Sequence, residues 1–392
     1  MLKRWALIKI IKTPMRIIFW SFMRFLVRGG FVRLLALVYC HVIKERVADG
    51  SMRKPFQSQH DKRITILVLT PENFLGDHQF LAESEAVRIL QIPTRWQTRL
   101  MYQFHSPGHR VRRYINPKPS EPTFRPKSQY RNFLMRLLPH IYKRLGVDCV
   151  VGHHVYFIAD VDWGVVSKEL GYPYIVLQGE SLITTDDFYE RVKSRMATFG
   201  KFEGTHITTY NSVVRQIYVD SGFATPDQVT ALGCMRMDGF LKRLITNKNH
   251  VGGCRKKVTF FSIPHGTVDL ADPFYPFFRD VLLTIVNFAI KNPEVDAVIK
   301  CKPGKFFGRW MKTAKRVLDD AGLRFDHISN LEICCDVDTH DLILESDVIS
   351  AFNSTVMLEA GIAGKPVVIP LFDIMTTPEN IESVYFRGNL HL

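Results

Sequence analysis

The sequence predicts an α/β protein of two doubly wound, Rossmann-like lobes facing a cleft, preceded by a basic amphipathic helical segment. Three observations carry that expectation. A chain of 392 residues exceeds the roughly 250–300 residues at which a single hydrophobic core stops growing. Short β-branched strands alternate with amphipathic helices in two successive series, the pattern of parallel sheets covered by helices on both faces. The charge is also lopsided: fourteen Lys and Arg stand against three acids before Ile64, an excess of eleven within a net charge of +14. Everything after Ile64 is close to neutral, which argues against a nucleic-acid groove spread over the folded body.

Residues 1–50 interleave large apolar side chains (Trp5, Ile8, Ile11, Ile17, Phe19, Trp20, Phe22, Phe25, Leu26) with single positive charges. The longest uncharged stretch, Leu34 to Ile43, is about half the ~20 residues a spanning helix needs. No small-residue cleavage site follows, so a signal peptide fits poorly. The segment reads as helices lying in the interface of an anionic membrane, on the cytoplasmic face of the inner membrane. The alternative is a helical arm packed on the protein's own body. Seven cysteines without CxxC spacing suit a reducing compartment and supply no zinc pattern, so no metal is expected.

Residues 51–63 are polar and read as a linker. The first lobe, 64–245, begins with the buried strand Ile64–Leu69 and continues with a helix over Gln79–Leu90. The stretch 91–130 is Pro- and Arg-rich and has no clear assignment. A helix over Asn132–Leu145 ends at Gly146, and strands follow at Cys149–Gly152, Tyr174–Leu177, His206–Tyr210 and Val229–Gly233. The second lobe, 246–392, has strands at Lys257–Ser262, Asp296–Lys300, Asp347–Ser350 and Pro366–Pro370, with helices over 277–291, 310–321 and 355–363. In such sheets ligands bind beyond the carboxyl ends of the strands.

The most informative stretch runs from Ser346 to Pro370: a strand, the polar turn Asn353-Ser354-Thr355, a short helix carrying Glu359 and ended by Gly364, and a second strand. Small polar residues at a helix start leave backbone N–H groups for a phosphate, and Glu359 is placed to accept hydrogen bonds from a ribose. Plain N-capping is the alternative. The segment resembles the donor-nucleotide signature of GT-B glycosyltransferases, in particular bacterial capsule and surface-polysaccharide transferases with Asn-Ser-Thr…Leu-Glu-Ala…Gly-Lys-Pro-Val. Gly233-Cys234-Met235-Arg236-Met237-Asp238 resembles the Gly-x-Pro-Arg-Met-Asp that closes the first lobe of these relatives. Met235 replaces the usual proline, while Arg236 and Asp238 are kept.

The resemblance implies a GT-B fold and a nucleotide-sugar donor used as substrate, with no cofactor. It also implies a growing glycan or lipid-linked acceptor. Donor contacts fall to His265, Gly266 and Thr267 in the loop after the first strand of the second lobe, and to Lys300 after the next strand. Lys302 stands where relatives carry histidine. Sugar transfer with inversion also requires a base for the acceptor hydroxyl. Glu180, after a buried strand and a glycine, leads; His154 with His153, and Asp77 with His78, also stand at strand ends. The chain ends soon after its last strand, where GT-B transferases normally continue, so a short or truncated second lobe is expected. The same fold houses sugar-nucleotide epimerases. Alternatives are a polyol-phosphate transferase of teichoic-acid type, using His154 and His265, and a non-catalytic membrane-bound scaffold of polysaccharide assembly.

Overall fold

The computed structural model describes residues 19–55, 62–105, 114–179, 183, 185–246, 255–262, 274–302, 305–372 and 377. They form two compact units. The first comprises Met1–Ser181 with Asp187–Arg236, and the second Leu182–Asp186 with Met237–Leu392. The division therefore falls at Arg236, and the N-terminal helices belong to the first unit.

In the first unit helices α1 (19–28) and α2 (Val32–Val42) precede a short hairpin, β1 (Lys44–Arg46) and β2 (Met52–Arg53). The start of the expected linker is thus a strand. Six parallel strands follow: β3 (Ile64–Val68), β4 (Val87–Gln91), β5 (Cys149–Gly152), β6 (Tyr174–Leu177), β7 (His206–Thr209) and β8 (Val229–Ala231). Their order is β2-β1-β4-β3-β5-β6-β7-β8, with β1 antiparallel to β4 at one edge. The connecting helices are α3 (Leu75–Ala82), α4 (Thr94–Met101), α5 (Phe124–Leu145), α6 (Ile158–Glu169), α7 (Asp186–Ala197) and α8 (Ser212–Asp220).

The helix expected over Gln79–Leu90 is two elements: α3 stops at Ala82 and Val87–Gln91 is strand β4. Arg88 is the reason β4 hides in the sequence. It is buried beside Glu45 of β1, with Nε 3.3 Å from Oε2. Helix α5 starts earlier than Asn132 because Pro126 lies in its first turn, where a missing N–H costs nothing. Its buried residues, Tyr130, Phe133, Leu134, Leu137, Leu138, Ile141 and Tyr142, repeat at three and four and form one face.

Buried charge fixes α5 to α6. Asp162 receives Arg131 Nε at 2.7 Å, Lys127 Nζ at 3.3 Å and the Tyr114 hydroxyl at 2.5 Å. Lys127 also donates to the Tyr114 and Ile115 carbonyls, and Arg131 grips Glu203 with two hydrogen bonds. Burial alone would raise the Asp162 carboxyl; Lys127, Arg131 and the Tyr114 hydroxyl outweigh it and hold it below its usual range.

The second unit opens with helix α9 (Met235–Thr246), whose first two residues close the first unit. Its parallel strands are β9 (Lys257–Phe261), β10 (Asp296–Lys300), β11 (Leu331–Cys334), β12 (Val348–Ala351) and β13 (Val367–Val368), in the order β11-β10-β9-β12-β13. Helices α10 (Tyr275–Lys291) and α11 (Lys305–Asp320) pack with Phe260, Ala297 and Ile299 on one face. On the other face, α9, α12 (Thr339–Glu345) and α13 (Val356–Ile362) pack with Phe261, Val298 and Ile349. Successive strand residues point to opposite faces, so both faces are covered. Two doubly wound Rossmann-like units in one chain are the GT-B plan.

Candidate functional site

Each sheet has one place where the winding reverses. In the first unit the chain steps from β3 out to β4 and then returns to the far side of β3 as β5. In the second it steps from β9 to β10 and β11, then returns beside β9 as β12. The crevice at the carboxyl ends of such a strand pair is where doubly wound sheets bind ligands. The switch points are therefore β3/β5 and β9/β12.

Among the described residues, Thr70 (φ 47°) and Asn353 (φ 49°) are the non-glycine residues in the left-handed region. Thr70 follows β3 and Asn353 follows β12, one at each switch point. For a β-branched residue such as Thr70 this conformation costs on the order of 1–3 kcal/mol, and such strain concentrates at functional sites. Thr70 is held by its hydroxyl, which donates to Asp160 Oδ1 at 2.5 Å, and by its N–H, 3.3 Å from Gln97 Oε1.

Around the first switch point the loops converge. Helix α3, which follows β3, contributes Asp77 and His78; the end of β5 contributes His153 and His154; Gln91 ends β4 and Gln178 follows β6. All six are buried. Gln91 Nε2 lies 3.0 Å from His78 Nδ1, His78 Nε2 pairs with His153 Nε2, and Gln178 Nε2 lies 2.7 Å from His154 Nδ1. If the Gln91 amide donates, the His78 proton sits on Nε2 and passes its hydrogen bond to His153. Burial, with Arg46 nearby, pushes His78 down to about 3. Burial, then His78 and His154, push His153 down to about 2. Both rings are therefore neutral at physiological pH.

Phe74 stacks on His153 with ring centroids 4.4 Å apart. Gly179 permits this, since a Cβ there would overlap the Phe74 ring. Asp77 differs from the histidines. Its Oδ1 is buried without a hydrogen-bond partner, and burial raises its carboxyl against the opposing pull of the Arg236 guanidinium and backbone N–H. Within the motif Gly233–Asp238, Arg236 lies against Gly76 and Asp77. Asp238 is exposed in the first turn of α9.

In the first turn of α6, Asp160 is fully buried and burial pushes it up to about 7 against the hydrogen bonds from Thr70 and Gln97. A carboxyl whose pKa rises on folding makes the native state bind the extra proton. Its stabilising contribution is complete below about pH 4 and is lost at about 1.4 kcal/mol per pH unit as pH climbs toward 7. Asp160→Asn keeps an oxygen for Thr70 and Gln97. It is expected to raise Tm at about pH 8 and leave it nearly unchanged at about pH 4, as calorimetry across pH would register.

At the second switch point, Asn353, Ser354 and Thr355 lead into α13. The first-turn amides are partly occupied: Val356 N–H lies 3.4 Å from Ser354 Oγ, while Met357 and Leu358 N–H bond to the Ser354 and Thr355 carbonyls. Thr355 makes no side-chain cap. Glu359 is buried one turn in, its Oε2 3.6 Å from His340 Nε2, and the His340 ring lies against Phe240. Lys300 ends β10, where its ammonium donates to the Cys301 and Cys335 carbonyls at 3.0 and 2.7 Å. Lys302 is exposed just beyond. Glu180, His265, Gly266 and Thr267 lie outside the described residues. Sequence reasoning missed Thr70, Gln91, Asp160 and Gln178; only their positions at strand ends or in the following loops and helices signal them.

No family model and no curated protein matches the chain. Solved structures do resemble it. UDP-GlcNAc 2-epimerase from Neisseria meningitidis, bound to UDP-GlcNAc, is 13% identical with a TM-score of 0.46 over 81% of this chain and 85% of that one. UDP-GlcNAc 2-epimerase from Methanocaldococcus jannaschii is 14% identical with a TM-score of 0.45, over 82% and 86%. A UDP-forming α,α-trehalose-phosphate synthase from Burkholderia xenovorans is 13% identical with a TM-score of 0.44, over 80% and 85%. Likeness this distant leaves function to be read from the chain's own residues.

Proposed function

We propose that the protein is a metal-independent glycosyltransferase that moves a sugar from a nucleotide-activated donor to a growing surface glycan or lipid-linked acceptor at the cytoplasmic face of a membrane. The observation that carries this reading is the paired strain: each sheet bends a non-glycine residue into the left-handed region at its switch point, beside the polar residues that chemistry would use. The second unit takes the nucleotide, with the hydroxyls and amides of Asn353, Ser354 and Thr355 toward its phosphates and Glu359 toward its ribose. The first unit supplies the acceptor's base.

Asp77 suits that task. A carboxylate with a raised pKa is a stronger base than an ordinary one, and Arg236 opposes that rise. Asp77 takes the acceptor hydroxyl's proton, the oxygen attacks the anomeric carbon, and the carbon–oxygen bond to the phosphate breaks. The nucleoside phosphate leaves with the bonding pair. The neutral His78–His153 pair is held by Gln91 and by its own hydrogen bond, and it adds no charge beside the base. Incubating the full chain with a panel of nucleotide sugars and lipid-linked acceptors tests this. Acceptor-dependent release of nucleoside diphosphate from one donor is expected; failure to bind or consume any donor contradicts the proposal.

A further inference from the structure

Helices α1 and α2 are apolar on more than one side. Their inner side is committed to the first unit: Met23, Leu26, Val27, Leu35, Ala36 and Tyr39 are buried, and α2 lies along α5. Polar and aromatic contacts pin the arrangement. The Tyr39 hydroxyl donates to the Trp96 carbonyl at 3.0 Å, Trp20 packs on Trp96, Arg99 stands over Trp20, and Arg24 donates to Gln103. So far this is the packed arm that the sequence left as an alternative.

The packing leaves a second apolar surface. Phe22, Phe25, Phe31, Leu34 and Leu37 are each 45–60% exposed. Leu34 and Leu37, three residues apart, stand opposite the buried face of α2, and Phe25 and Phe31 stack at 5.5 Å across the Gly29–Gly30 turn. That turn depends on both glycines: Gly30 has φ 68°, and a Cβ on Gly29 would overlap Phe31. Large side chains grouped this way on the surface of a unit that already has a core mark an interaction site.

The surrounding charge selects the partner. No Asp or Glu occurs before Glu45. Arg28 and Arg33 are exposed on the same two helices, and the Arg136 guanidinium lies near the Gly30 turn. Exposed aromatic and aliphatic side chains on helices that carry exposed arginines and no acid complement acyl chains beneath anionic headgroups. A protein partner would be expected to meet at least some acidic pairing. Among the described residues no helix is long and apolar enough to cross a membrane.

We infer that Phe22, Phe25, Phe31, Leu34 and Leu37 insert into an anionic bilayer and that Arg28 and Arg33 read its headgroups, docking the first unit through α1 and α2. None of these exposed residues belongs to the site assigned to the transferase, so their test is independent of that reading. Flotation of the full chain with phosphatidylglycerol–phosphatidylcholine vesicles, against pure phosphatidylcholine, measures it. Wild type is expected to float with the anionic vesicles. Phe22→Ser/Phe25→Ser/Leu37→Ser should weaken binding at least tenfold with Tm unchanged, because all three side chains are exposed. Arg28→Glu/Arg33→Glu should abolish the preference for anionic lipid. Wild-type-like flotation of the triple variant would overturn the inference. So would a wild-type dimer in light scattering that the triple variant converts to monomer while neither floats, which would make the face a self-association surface.

Discussion

Asp77→Asn is expected to lower kcat by about 10²–10⁴-fold, the usual contribution of a positioned general base, while leaving nucleotide affinity nearly unchanged. The amide fills the same space and cannot accept the proton. The pH dependence gives an independent check. Asp77 must be ionised to act, and burial raises its pKa, so kcat should fall on the acid side at a higher pH than for an ordinary carboxylate. Removing the opposing charge with Arg236→Gln should move that acid limb to still higher pH. A purely structural role for Asp77 would instead change KM and leave the limb in place.

Asp162→Asn should destabilise the first unit by about 3–5 kcal/mol, the cost of breaking a buried ion pair by removing one partner. Lys127 would stay buried and lose the charge that compensates it, and Arg131 would keep only Glu203. Because the folded-state pKa of Asp162 is depressed, the wild-type advantage is full above the unfolded carboxyl's ordinary value and is lost as pH falls through the lower folded one. Urea titrations of the two proteins should therefore differ most near neutrality and converge in acid. Arg131→Met with Lys127→Met, which removes the cations together with Asp162→Asn, should recover part of the loss.

The parallel strands were legible because both their faces are buried, which leaves β-branched runs such as Val150–Val151 and Ile175–Val176 uninterrupted. The Asp296–Lys300 and Cys149–Gly152 strands match their expected bounds. Strand β4 was not legible. Its Val-Arg-Ile-Leu-Gln sequence buries an arginine and a glutamine, and Arg88 is tolerable only because Glu45 reaches it from β1. A three-residue charged strand such as Lys44-Glu45-Arg46 has no local signature either. Near the switch points, Asp77, His78, His153, His154 and Asn353–Thr355 stood out in the sequence because reactive or polar residue types follow strands there. Thr70, Gln91, Asp160 and Gln178 are ordinary polar residues whose meaning comes from partners brought together by the sheet. The N-terminal segment was half legible: composition showed its apolar and basic character, and folding buries part of that surface and leaves part exposed.

Photoaffinity labelling most directly tests whether the second unit's switch point binds the nucleotide. The full chain would be irradiated with a panel of azido-nucleoside diphosphates and the labelled peptides mapped by mass spectrometry. The expected result is a label in peptides covering 257–262 or 348–365, competed away by the unmodified nucleotide and lost in Glu359→Ala. A competed label confined to the first unit, or none with any nucleotide, would contradict the account.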